Sequence, residues 1–267
     1  MGWISVAVAV ACGVLGGLAV LAIRARTRNK SIWAAAWVLV AGSLLAVSHA
    51  FITPALQARY DASMLDDSLS GNAAFAAIRK HDPQTYGRIM SELRDGLLNG
   101  RDKAVLVELV RKEMTTLVQR RLPRASDEAA NDYTRVVVQE MNELRRQGGD
   151  LCYRFLFAKP DQGLDLTRYV SANTIEADSA ALGQVVRSST VAPQAIPQQA
   201  DVAARMQPVI AALAGRYGPD LSLLQNPQAP GVDRDKLCSI NIDMYTVILQ
   251  MPPADSGKLI RYLMSQG

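Results

Sequence analysis

The sequence predicts an all-α protein in two parts: a transmembrane hairpin over residues 1–58 and a mainly helical extracytoplasmic domain over 59–267. Three observations carry this. Two apolar runs of 21 residues, 3–23 and 32–52, contain no Asp, Glu, Lys or Arg. The short stretch between them, 24–31, holds Arg24, Arg26, Arg28 and Lys30, the only charges before Arg59. Further along, apolar residues recur at spacings of three and four between residues that start and stop helices.

Each apolar run is long enough to span a bilayer, which needs roughly 20 residues of helix. Neither has a polar face, which disfavours two core helices of a soluble protein. Basic residues beside a span stay in the cytoplasm. The Arg24–Lys30 cluster therefore places the loop inside and both termini outside. For a bacterial inner membrane, that puts the domain in the periplasm. Two processing alternatives are weaker. Met1-Gly2-Trp3 lacks the basic start of a signal peptide. Cleavage of the second run after Ala50 would release the domain instead.

Ala9, Gly13 and Gly17 recur every four residues and form a small-residue face on the first span. Its expected partner is the second span, with a homodimer as the alternative. Trp3 and Trp33 fall near the two interfaces, where indole prefers to sit. His49 is the only ionisable side chain inside a run, so transport is not expected.

From Arg59 onward the chain holds 25 Lys/Arg and 25 Asp/Glu. This balance argues against nucleic acid as a partner. Within it, residues 79–124 carry 11 basic and 6 acidic side chains, a section that could face anionic headgroups or simply water.

Asp82-Pro83 opens a helix over 83–98 that ends at Asn99-Gly100. Residues 102–121 form the next, striped at Leu106, Val110, Met114 and Leu117. Ser126 caps a third, striped at Tyr133, Val137, Met141 and Leu144 and stopped by Gly148-Gly149. The β-branched run Val136-Val137-Val138 weakens it locally. Residues 151–157 are either a strand or a buried helix. A helix is expected within 164–189 and another over 200–216, stopped by Gly218-Pro219. Helices over 233–250 and 255–265 complete the chain. The Pro/Gln-rich stretches 193–199 and 225–231 read as loops, and the first could subdivide the domain.

Cys152 and Cys238 are the only cysteines beyond the runs. In an oxidising compartment they are expected to form a disulfide. Two buried thiols, or pairing across a dimer, are the alternatives.

The search for chemistry is negative. His81 is the only histidine outside the runs, so zinc has too few ligands and a catalytic triad would depend on it alone. No nucleophile elbow, P-loop, dinucleotide fingerprint or zincin motif occurs. Glu140 and Glu143 share a helix face, but Arg145 and Arg146 make a solvated, ion-paired surface the expected reading. Asp161 and Asp165 bracket a loop without the ligand alternation of a calcium site. No catalytic, cofactor or metal residue is assigned. The expectation is a membrane-anchored, non-enzymatic binding protein that engages another envelope protein, either an assembly factor or an immunity protein against a periplasm-acting toxin. An envelope hydrolase using carboxylates and a ligand-sensing subunit are the alternatives.

Overall fold

The computed structural model describes residues 53–157 and 164–266. Among these the regular structure is entirely helical. The predicted spans, the basic loop with Arg24, Arg26, Arg28 and Lys30, and the face of Ala9, Gly13 and Gly17 lie outside the described residues. No helix among the described residues is long and apolar enough to cross a membrane.

Among the described residues ten α-helices follow in order: α1 Thr53–Ser70, α2 Ala73–His81, α3 Pro83–Leu98, α4 Lys103–Arg121, α5 Asp127–Gln147, α6 Gly149–Phe157, α7 Ala172–Val191, α8 Gln199–Tyr217, α9 Arg234–Leu249 and α10 Pro253–Leu263. Short 3₁₀ turns cover Leu122–Arg124, Leu166–Arg168 and Gly218–Gln225.

The described residues divide into two units, 53–66 with 93–101 in one, and 67–92 with those from 102 onward in the other. In the first, Ala62 and Leu93 are buried, while Leu56, Tyr60 and Met64, spaced by four along α1, are exposed. Gly100 ends α3 with φ +65, which glycine adopts without strain. There the Arg101 N–H reaches back to the Gly96 carbonyl at 2.9 Å, closing the helix end.

The second unit is organised by α5, which packs against α6, α7, α9 and α10. Ser126 caps it by accepting from the Ala129 N–H at 3.2 Å, and Gly148 terminates it. Met141 and Leu144 are fully buried. The Val136–Val138 run is helical all the same, because two caps and four packed neighbours outweigh a propensity cost of a few tenths of a kcal/mol per residue.

Two apolar clusters result. One joins α2, α4, α5, α7, α8, α9 and α10 through Ile78, Leu117, Val186, Ile248 and Leu259, among others. The smaller gathers Met141, Leu144, Val170 and Ile242 around Cys152 and Cys238. These cysteines form a disulfide, with Cα atoms 5.9 Å apart, that ties α6 to α9. Residues 151–157 are therefore helix rather than strand. The helix expected within 164–189 starts at Ala172 and runs two residues beyond that range, to Val191. Asp165 accepts from the Thr167 N–H and closes a single 3₁₀ turn, and Ser171 then caps α7.

Candidate functional site

The chemically unusual residues sit where α5 packs on α7. Glu140, on α5, is 2% exposed, and its Oε1 has no hydrogen-bond partner. Burial, then the charges of Asp178 and Glu143, push its carboxyl up to about 9. It is therefore protonated at neutral pH. Burial also raises Asp178, on α7. Burial and the charges of Asp178 and Glu140 lift the Tyr133 phenol well above its ordinary range.

Glu143 lies one turn along α5 and behaves oppositely. It accepts from the Ser171 N–H at 2.6 Å, from the Thr174 hydroxyl at 2.7 Å and from Gln139 Nε2 at 3.3 Å. The Ser171 N–H and then the Thr174 hydroxyl hold its carboxyl below the usual range. One helix turn thus carries a neutral acid and an ionised carboxylate. The solvated, ion-paired face expected for Glu140 and Glu143 is corrected here. Glu140 is in the core, Glu143 caps the start of α7, and Arg145 turns away to Asp235 at 3.4 Å. A helical signal for Glu140 was present in the spacing: Tyr133, Val137, Glu140 and Leu144 fall on one face.

A groove of about 530 Å³ lies between the first half of α4 and the segment 164–169. Val107, Leu164 and Tyr169 supply its apolar strip. Lys103, Arg111, Arg154 and Arg168 supply positive charge. Three carboxylates, Asp102, Glu108 and Asp165, line it as well. Arg111 holds Glu108 through two nitrogens, at 3.0 and 2.5 Å, and Arg168 meets Asp165 at 3.2 Å. The Thr167 hydroxyl holds the Asp165 carboxyl below its ordinary range. Neither Glu140 nor Asp178 lines this groove.

His81 is the last residue of α2, beside Arg79 and Lys80, where cations complement the helix C-terminus. The next residue, Asp82, caps α3 by accepting from the Thr85 N–H at 3.3 Å. It also takes Arg121 at 2.5 Å and Arg120 at 3.1 Å. Burial raises the Asp82 carboxyl, but these hydrogen bonds and the Arg121 charge outweigh it and keep the group ionised. Asp161 lies outside the described residues. No cluster of three or more His, Cys, Asp or Glu side chains able to hold a metal occurs among the described residues. No protein-family model, curated protein or solved structure matches the chain.

Proposed function

We propose that this chain is a membrane-anchored, extracytoplasmic, non-enzymatic binding protein whose helical domain engages another envelope protein. The observation that carries the reading is the charged groove of Lys103, Arg111, Arg154 and Arg168, with its apolar strip and pre-paired carboxylates. Such a surface suits recognition of a protein partner, since paired charges fix register and an apolar strip supplies burial. The disulfide supports an oxidising compartment. The two apolar runs and the basic loop between them support the anchor and its orientation.

The raised carboxyls do not favour the hydrolase alternative, because Glu140 is sealed in a helix interface rather than set in a groove. The test is photo-cross-linking in intact membranes of the source cell. A photo-reactive residue is placed at Val107 of the full-length chain, with exposed Val191 as the control position. The reading expects one stoichiometric protein adduct through Val107 and none through Val191. Adducts with itself or with lipid alone would refute it. The identity of the adduct separates an assembly factor from an immunity protein.

A further inference from the structure

Helix α1 has two apolar faces. At about 100° per residue, Ala58, Ala62 and Leu65 fall on one side, where Ala62 is buried and the other two are half-buried. Leu56 and Met64, with the Tyr60 ring between them, fall on the opposite side and are exposed. Polar edges separate the faces. Gln57 and Asp61, joined by a 2.7 Å hydrogen bond, form one edge, and Arg59 and Asp66 form the other. A helix with two apolar faces calls for a neighbour on each. Among the described residues only one face is covered. Helix α1 begins at Thr53, directly after the second apolar run ends at Ile52.

Lipid does not suit the bare face. The stripe from Leu56 to Met64 is about 12 Å long, so on a helix rising from the bilayer it outruns a headgroup layer about 5–8 Å thick. A helix lying in the interface carries Lys and Arg on its polar side, whereas α1 has one base, Arg59, against Asp61, Asp66 and Asp67. We infer that the bare face of α1 packs against the same face of a second copy of this chain, side by side in one membrane. This rests on the proposed anchor, which inserts every copy in the same direction. A two-fold axis along that direction sets Leu56 and Met64 against their counterparts. It also brings the Arg59 edge of each copy to the Asp61 edge of the other, whereas an antiparallel pair sets Arg59 against Arg59. Three side chains per copy fall short of the roughly 1,000 Å² that a stable interface buries, so the contact depends on confinement in the membrane.

The test is oxidative cross-linking of the full-length chain in membranes of the source cell, with copper phenanthroline. Cys12→Ala removes the thiol of the first apolar run, and Cys152 and Cys238 stay paired. Leu56→Cys and Met64→Cys are each compared with Gln57→Cys, on the polar edge. The first two are expected to give about fivefold more disulfide-linked dimer on non-reducing gels, since only closely approaching Cβ atoms can be bridged. Arg59→Glu is expected to lower the Met64→Cys dimer about two- to tenfold, the range of two exposed ion pairs, and adding Asp61→Arg is expected to restore it. Equal yields at all three positions, no dimer, a disulfide to a different protein, or a dimer indifferent to the charge reversal overturns the inference. An alkaline carbonate wash of the same membranes reads the anchor separately. Retention of the chain without dimer sinks this inference alone. Release of the chain sinks the anchor and this contact with it.

Discussion

Glu140→Gln is the most informative single substitution. In the wild-type fold the Glu140 carboxyl is held protonated, with its pKa raised from 4.5 to about 9. The unfolded chain releases that proton near 4.5, so the folded state binds more protons throughout the interval. Stability from this group is therefore complete below about pH 4.5 and is lost as the pH rises towards 9. At pH 7 the loss is about 3 kcal/mol, and at pH 5 it is below about 1 kcal/mol. Glutamine has nearly the same shape and never ionises, so the variant carries no such loss. The second amide hydrogen buried in its place costs about 1–3 kcal/mol at every pH.

The decisive quantity is therefore the change in the difference between the two proteins. The variant is expected to gain about 2–3 kcal/mol on wild type between pH 5 and pH 7. Guanidinium unfolding of the full-length chain in detergent, followed by circular dichroism at pH 5, 6, 7 and 8, measures it. Parallel pH profiles for the two proteins would refute the buried neutral acid. Asp178→Asn gives a second check. Removing that charge lowers the Glu140 pKa, so the two substitutions are expected to be non-additive.

Three further outcomes follow from the packing. Glu143→Gln is expected to cost about 1 kcal/mol at neutral pH, by weakening bonds from Ser171 and Thr174. Glu143 is held below 4.5, so its contribution exists above that pH and fades as the pH falls, and the cost is expected to vanish in acid in the same unfolding series. Replacing Cys152 and Cys238 by alanine removes a link between residues 86 apart in sequence. A loss of about 2–4 kcal/mol is expected, seen as a lower melting temperature that matches reduced wild type. Gly257→Ala, inside α10, would place a Cβ into the backbone of Asp127 at the start of α5. The usual helix gain of about 1 kcal/mol is outweighed, and a net loss of about 1–3 kcal/mol is expected by thermal melting.

The helices bounded by strong local signals were legible in the sequence. Asp82-Pro83, Ser126 with Gly148, and Gly218 act through hydrogen bonds to their own neighbours in the chain, so the residues announce them. Residues 53–81 were not read as two helices. Their break is marked only by Gly71-Asn72, with Asn72 capping Phe75 at 3.2 Å. Residues 151–157 were ambiguous because Cys152 is in the core and its neighbours pack partly against it on several sides, so no polar face marks the period. The Glu140–Asp178 couple was hidden for a different reason. Each residue sits within an apolar face of its own helix, but only the packing of α5 on α7 brings the two acids together.

The α5–α7 interface then carries two carboxyl terms of opposite sign. Acid favours the buried Glu140 carboxyl and weakens the Glu143 cap. The sizes decide the balance. Glu140 is 2% exposed and its term is undiluted by solvent, whereas Glu143 is partly exposed and its bonds compete with water. From these two groups together, the α5–α7 interface is expected to be more stable at pH 5 than at pH 7. For a domain outside the cytoplasm, as proposed, that direction matters, because it meets external pH with no cytoplasmic buffering. Glu140 on α5, with Asp178 on α7, therefore opposes the usual loss of stability as hydrogen-bonded carboxylates such as Asp82, Glu143 and Asp165 protonate in acid.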